Sequence, residues 1–163
     1  KASAHWLVDN YREAYGLFAC TGILFNHESP LRPARFVTQK IISTAKRISQ
    51  GSDEILELGR LDISRDWGWA PEYVEAMWLM LQHETAEDFV IATGQSETLE
   101  FFVATVFKEL GLNWMDHVRQ NPDFMRPTDL LFSCGDASKA HKKIGWKAKN
   151  KLEDIIKLMI AED

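Results

Sequence analysis

The sequence of 163 residues has few cysteines and no long apolar run. Cys20 and Cys134 lie far apart, which argues against a disulfide framework and against a metal site built on cysteines. No uninterrupted apolar segment approaches the roughly 20 residues of a membrane-spanning helix, and the first residues do not form a cleavable signal pattern. We therefore expect a protein of the reducing cytoplasm that has no membrane partner.

Positive charge is also scarce, since 19 Lys and Arg stand against 24 Asp and Glu and give a net charge of −5. A chain without a basic field is not expected to have a nucleic-acid partner. The five histidines show no pair at the spacing of metal ligands, so no metal is expected. The phosphate-binding and nucleophile motifs G-x-x-x-x-G-K-[ST], G-x-G-x-x-G and G-x-S-x-G do not occur, so no enzyme class follows from them.

Helical and strand patterns alternate along the chain, which predicts an α/β fold with parallel βαβ units. Ser96 is the expected N-cap of one helix, and Asp136 is the expected cap of a later one. The predicted helices are 2–15, 36–49, 71–81, 97–110, 136–145 and 152–160, and the predicted strands are 17–26, 54–58, 63–67 and 89–92.

Only the strands near residues 20 and 90 have the apolar character of central strands, which is too few for an independent doubly wound sheet. The first helix also begins at Lys1 without a capping residue or a preceding loop. Two interpretations remain open, namely that the chain is part of a longer protein or that Lys1 is a processed end.

The most informative segment runs from Gly22 to Arg32, where an apolar strand ends in polar residues. Asn26, His27, Glu28 and Arg32 offer an amide, an imidazole, a carboxylate and a guanidinium group. Ligands of open α/β sheets bind outside the carboxyl ends of the strands. The segment is therefore either one wall of a ligand crevice or a solvated loop.

Three further basic positions have a functional and a structural interpretation. Arg65 begins the motif Arg65-Asp66-Trp67-Gly68, in which Asp66 could orient a guanidinium suited to phosphate while Trp67 packs beneath it. Arg126 precedes Pro127, which restricts Arg126 to extended conformations and can aim its side chain. Lys40, on a helix face, can reach a phosphate as a point charge. The alternatives are a local ion pair, a solvated turn and a solvated basic face.

Taken together, Asn26-His27-Glu28-Ser29-Pro30 and Arg65-Asp66-Trp67-Gly68 form a specific pair of motifs. With them, the sequence resembles the GDP-mannose 4,6-dehydratase family of extended short-chain dehydrogenases/reductases, in order and over essentially all 163 residues. The matching segments are 22–30, 36–40, 61–68, 73–81, 90–94, 126–128 and 143–146.

The resemblance implies the C-terminal half of one extended subunit with a Rossmann-type fold. Residues 1–30 and about 70–95 would complete the Rossmann sheet, and about 31–69 and 96–163 would form most of the sugar-nucleotide-binding region. Lys1 falls on the lysine of the family's Tyr-x-x-x-Lys motif. The dinucleotide fingerprint and the catalytic Thr, Glu and Tyr are expected before residue 1. The family typically forms dimers and tetramers, so a homo-oligomer is expected.

The resemblance also implies an internal redox reaction. NADP takes a hydride from C4 of GDP-mannose, water is lost across C5 and C6, and the hydride returns at C6 to give GDP-4-keto-6-deoxymannose. Lys1 would be catalytic and would bind the cofactor with His27 and Arg32. The residues matching substrate-binding positions are Asn26, Val37, Lys40, Arg65 and Arg126.

The sequence departs from the family at several positions of the same region. Leu31 and Gln39 stand where the family usually has arginines, and Pro33 stands where it commonly has glycine. Two other functions stay open on the sequence alone. One is another NAD(P)-dependent sugar-nucleotide enzyme, such as a reductase or an epimerase, and the other is a sugar-nucleotide-binding module without catalytic activity.

Overall fold

Helices and strands alternate in the computed structural model, which describes residues 1–125 and 128–161. A 3₁₀ turn, Pro122–Phe124, supplements them. The helices are α1 (Ala2–Tyr15), α2 (Val37–Ser49), α3 (Ala70–Gln82), α4 (Leu99–Glu109), α5 (Trp114–His117), α6 (Ser138–Ile144) and α7 (Leu152–Ala161). The strands are β1 (Gly22–Leu24), β2 (Asn26–Glu28), β3 (Leu56–Leu58), β4 (Ser64–Arg65), β5 (Trp67–Trp69), β6 (Phe89–Ile91), β7 (Glu97–Thr98) and β8 (Val118–Gln120).

The strands form four pairs, three of which are parallel. β1 pairs with β6, β2 with β5 and β3 with β8 in parallel, whereas β4 and β7 are antiparallel. The two strands predicted to be central are therefore neighbours, with Gly22 opposite Phe89. The parallel βαβ arrangement expected from the sequence is confirmed for these pairs.

The predicted strand 17–26 is wrong in its extent. Leu17 and Phe18 are exposed and belong to no strand, and regular strand pairing begins at Gly22. The strand is also interrupted at Phe25, because β1 runs beside β6 and β2 runs beside β5. This change of partner lets residues 26–28 leave the first strand pair and reach a second one.

Ser96 is not the N-cap of α4. Glu97 and Thr98 pair with Arg65 and Ser64 as β7, so the helix starts at Leu99. The Thr98 hydroxyl accepts a hydrogen bond from the Phe101 amide at 3.0 Å and thus serves as the cap. Strand pairing therefore moves the helix start two residues along the chain.

Two apolar cores lie on either side of β5. The larger core is formed by α2, α4 and α7 and includes the fully buried Phe102 and Phe107. The smaller core joins α3, α6 and β6 around Tyr73, whose ring meets Trp146 edge-on at 5.8 Å. Burial of each such large apolar side chain contributes about 2 kcal/mol to folding.

Helix α1 has no buried residue, although Trp6, Leu7 and Tyr15 are large and apolar. A polar contact holds it to the sheet, because Arg12 donates from Nη2 to Asp88 Oδ1 at 2.8 Å.

Within residues 1–125 and 128–161, no helix is long and apolar enough to cross a membrane.

Asp66 joins three segments at the carboxyl end of β6. Its carboxylate accepts hydrogen bonds from the Thr93 amide at 2.9 Å, the Thr93 hydroxyl at 2.7 Å, the Gly94 amide at 3.0 Å and the Gly135 amide at 3.2 Å. Gly135 approaches closely enough that an added Cβ would lie 2.3 Å from the Ala92 Cβ. The segments therefore meet around one buried carboxylate, and a side chain at residue 135 would prevent the meeting.

We predict that Asp66→Asn lowers the free energy of unfolding by about 3 kcal/mol. The new NH₂ group is a donor, and in place of Oδ2 it would face the Gly94 and Gly135 amides, which are donors too. Urea denaturation of the complete gene product measures the change. Asp62→Asn is the control, since Asp62 is exposed and its ion pair in the described part of the chain is with Arg60, and we expect it to change stability little. Equal effects of the two variants would contradict the role given to Asp66.

Candidate functional site

A cavity of about 810 Å³ lies where β2 ends and α2 begins. Five of the residues predicted to bind ligands line it, namely Asn26, Arg32, Val37, Lys40 and Arg65. These residues are up to 39 positions apart in the sequence, and the pairing of β2 with β5 brings them into the lining of one cavity. Their binding roles remain predictions.

Glu28 is fully buried at the base of this cavity. One carboxylate oxygen accepts the Thr38 hydroxyl at 2.6 Å and lies 3.1 Å from Arg32 Nε, while the other has no hydrogen-bond partner in the described part of the chain. Thr38 belongs to the first turn of α2. Glu28 therefore links the end of β2 to both the loop and the helix that form the cavity.

Arg32 is held by a backbone group as well. Its Nη1 donates to the His27 carbonyl oxygen at 2.7 Å, and its guanidinium carbon lies 4.1 Å from the centre of the Phe36 ring. These contacts leave the N–H groups of Nη2 without a partner among the residues that the structure describes. The side chain is thus fixed while part of its fork stays free for an anion.

His27 does not line the cavity but lies directly beside it. Its Nδ1 is 2.8 Å from the Phe25 carbonyl oxygen, and its ring centre is 5.0 Å from that of Tyr73. Because a carbonyl oxygen only accepts hydrogen bonds, this contact assigns the proton to Nδ1. The Nε2 atom is then the one left for a ligand.

Lys40 and Arg65 are oriented by backbone carbonyl oxygens. Lys40 Nζ donates to the Glu57 oxygen at 2.7 Å and lies 4.9 Å from the centre of the Phe124 ring. Arg65 Nη1 donates to the carbonyl oxygens of Ser64, at 2.9 Å, and Leu130. Neither contact cancels the positive charge, since a carbonyl group is a dipole and not an anion.

The expected orientation of Arg65 by Asp66 is wrong. The hydrogen bonds of Asp66 all go to Thr93, Gly94 and Gly135 within the described residues, and the carboxylate nearest to Arg65 is Asp129, at 3.9 Å from Nη2. Trp67 also turns into the larger core, where its ring centre lies 5.4 Å from that of Phe102. Successive residues of a strand point to opposite faces, which separates Asp66 from both neighbours.

Among the described residues, Lys1 and His27 are the predicted site residues that do not line the cavity. Lys1 is exposed at the start of α1, where its carbonyl oxygen accepts the His5 amide at 3.1 Å. Arg126 lies outside the described residues. The described residues also contain no group of three or more His, Cys, Asp or Glu side chains that could hold a metal ion.

The sequence analysis missed Arg35, Arg60, Phe36 and Phe124, all of which line the cavity. With them, the lining has five basic residues (Arg32, Arg35, Lys40, Arg60 and Arg65) and four acidic ones (Glu28, Glu57, Asp123 and Asp129). A local excess of positive charge on a chain of net charge −5 favours an anionic ligand. The clustering of basic residues around Pro33 was the available signal.

Burial raises the pKa of the Glu28 carboxyl above its ordinary value of 4.5, although the Thr38 hydrogen bond and the charge of Arg32 oppose the shift. The folded state therefore holds this proton more tightly than the unfolded chain does. Stability from this group is present at low pH and is lost as pH rises above 4.5.

We predict that Glu28→Gln gains stability relative to the wild type as pH rises from about 4.5 to 7, because the variant has no charge to bury. Denaturation of the complete gene product at several pH values measures the difference. Glu87→Gln is the control, since Lys139 and Lys143 lower the Glu87 pKa to about 2 and its difference should be constant over this range. A constant difference for Glu28→Gln would refute the prediction.

Comparison with known proteins gives one consistent relationship. Residues 1–159 match the sequence model of the family described as GDP-mannose 4,6 dehydratase. GDP-mannose 4,6 dehydratase 1 of Arabidopsis thaliana is 52% identical over all 163 residues, which cover 45% of that protein. The Homo sapiens GDP-mannose 4,6 dehydratase is 43% identical over an alignment of 180 positions that covers the whole chain and 48% of that protein. The chain thus spans about half the length of the curated relatives it matches.

Solved structures share the fold at lower sequence identity. The structure of RMD from Pseudomonas aeruginosa complexed with NADPH superposes with a TM-score of 0.88 at 20% identity, over 99% of this chain and 52% of that one. The Thermotoga maritima UDP-glucose 4-epimerase with UDP-glucose gives 0.85 at 24% identity, over 99% and 50%. These likenesses confirm the predicted α/β fold class.

Proposed function

Since the chain belongs to the GDP-mannose 4,6-dehydratase family, we propose that it supplies the sugar-nucleotide-binding part of an enzyme that converts GDP-mannose into GDP-4-keto-6-deoxymannose. The observation that carries this proposal is the cavity at the end of β2, with Asn26, Lys40 and Arg65 in its lining. Its volume of about 810 Å³ lies within the range of small-molecule sites.

The substrate role of these residues follows from their chemistry. A sugar nucleotide carries a diphosphate, which Arg65 and Lys40 would bind through charge-assisted hydrogen bonds. Asn26 is exposed at the start of β2 and offers an amide to hydroxyl groups of the sugar. Val37, which is partly exposed beside them, would contact an apolar edge of the ligand. Arg126 is proposed as a further substrate-binding residue from its sequence context.

A nicotinamide dinucleotide, and more narrowly NADP, is the proposed cofactor, and it would supply the oxidation and reduction of the hexose. Solved structures of this fold contain NADPH in one case and NAD in another. The residues fit such a group, because within the described residues the Nη2 of Arg32 and the Nε2 of His27 have no hydrogen-bond partner. Lys1 is proposed to hydrogen-bond the nicotinamide ribose and to lower the pKa of a catalytic tyrosine.

We further propose that residues 1–30 and about 70–95 complete a Rossmann sheet, which the parallel pairing of β1 with β6 supports. A homo-oligomer is proposed on the exposed apolar side chains of α1 and α3, Trp6 and Trp78 among them. A cytoplasmic location is proposed because Cys20 and Cys134 are both free thiols.

We expect the complete gene product, incubated with GDP-mannose and NADP, to form a sugar nucleotide that has lost one water and carries a 4-keto group. Mass spectrometry of the nucleotide sugars measures the product, and a reaction without NADP is the control. An unchanged mass with an inverted hydroxyl group would instead establish an epimerase. In a separate incubation of a 4-keto sugar nucleotide with NADPH, conversion of the ketone to an alcohol with oxidation of NADPH to NADP would establish a reductase.

We predict that Arg65→Gln raises KM for GDP-mannose about tenfold or more, because a charge-assisted hydrogen bond to a phosphate contributes about 1.5–3 kcal/mol. Initial rates at saturating NADP measure KM and kcat separately. Arg119→Gln is the matched control, since Arg119 is exposed and its hydrogen bonds in the described residues go to nearby backbone oxygens of Met115 and Val118. An unchanged KM in Arg65→Gln would remove this residue from the substrate site.

A further inference from the structure

Two arginines share one aromatic ring at the end of the cavity. The guanidinium carbon of Arg32 lies 4.1 Å from the centre of the Phe36 ring, and that of Arg35 lies 5.1 Å from it. Both distances are within the range of cation–π contacts. Both arginines also line the cavity, so the ring gathers two positive charges in its lining.

The two charges are not balanced equally. Arg32 lies 3.1 Å from the buried carboxylate of Glu28, whereas Arg35 has no ion pair or hydrogen bond to any residue in 1–125 or 128–161. Two cations on one ring repel each other, and a single carboxylate offsets only one of them. An anionic group placed between the guanidinium groups would remove this imbalance.

The loop that carries the arginines is restrained by two turns. The Arg32 amide donates to the Ser29 carbonyl oxygen at 3.0 Å, and the Phe36 amide donates to that of Pro33 at 3.0 Å. Pro33 fixes its own φ angle and so limits the conformations of the second turn. Arg35, which lies within that turn, is therefore presented to the cavity with little freedom of the backbone to lose on binding.

We propose that Arg35 is a further binding residue, which together with Arg32 holds a phosphate group of a nucleotide ligand at the Phe36 end of the cavity. The proposal rests on the proposed function for the identity of the nucleotides. The phosphate belongs either to a dinucleotide or to the diphosphate of the sugar nucleotide. Arginine suits both sources, because its planar fork donates two parallel hydrogen bonds to phosphate oxygens.

The test is the affinity of the complete gene product for NADP, NAD and GDP, measured by titration calorimetry for the wild type, Arg35→Gln and Arg35→Lys. We expect Arg35→Gln to weaken at least one of these ligands about three- to tenfold and to reduce the salt dependence of that binding. Arg35→Lys should recover part of the loss, since it restores the charge but not the fork.

The pattern of losses identifies the source of the phosphate. A loss for NADP alone assigns the 2′-phosphate, a loss for both dinucleotides assigns their diphosphate, and a loss for GDP alone assigns the diphosphate of the sugar nucleotide. Unchanged affinity for all three ligands would overturn the proposal, and so would an equal loss in Arg119→Gln, which changes the same charge away from the cavity.

Two further measurements separate the possible failures. Thermal unfolding of Arg35→Gln should match the wild type, because the side chain is exposed and makes no ion pair or hydrogen bond in the described residues. If Arg35→Gln lowered both the affinity and the unfolding temperature, and Arg35→Lys lowered neither, the loss of affinity would be a consequence of lost stability. That result would contradict a direct binding role. Since calorimetry needs no turnover, wild-type protein that binds nucleotides but does not dehydrate GDP-mannose would refute the proposed function and leave the role of Arg35 decided by the titrations.

Discussion

The buried carboxylate of Asp66 is the interaction on which the arrangement of the site depends. A buried charge is tolerated only when hydrogen bonds replace its water, and Asp66 obtains four of them from Thr93, Gly94 and Gly135. These donors come from the end of β6 and from the loop before α6, so both segments are drawn to the start of β5. Because β5 pairs with β2, the same carboxylate also positions residues 26–28 relative to these two segments.

The basic residues of the cavity share a second physical feature. Arg32, Lys40 and Arg65 each donate to a backbone carbonyl oxygen, at His27, Glu57 and Ser64 respectively. A carbonyl oxygen orients a cation without cancelling its charge, but Arg32 and Arg65 also lie near a carboxylate, 3.1 Å from Glu28 and 3.9 Å from Asp129. The described lining keeps one more basic residue than acidic ones although the chain as a whole is acidic, and its side chains need little reorganisation when a ligand binds.

The sequence predicted what depends on local pattern and on strand order. The two central strands could be located from their apolar character. Asn26, Lys40 and Arg65 could be predicted to share one site, because the ends of parallel strands and the helices after them meet at one edge of a sheet. It missed what depends on tertiary contacts. The break at Phe25 follows from a change of strand partner, and the cap at Thr98 follows from the pairing of β7 with β4. Arg35 was missed because its position over Phe36 depends on the turn at Pro33.

The apolar pattern of helix α1 says little about the role of Lys1. The apolar stripe of Trp6, Leu7, Tyr11 and Tyr15 was visible in the sequence, yet none of these side chains is buried in the described residues. Polar contacts around Asp88 hold the helix at His5 and Arg12, several residues away from Lys1. No buried apolar side chain of α1 adds to these half-buried contacts, so the helix is held weakly. Lys1 precedes the first turn of this helix, so its position depends on the contacts that Asp88 makes with His5 and Arg12.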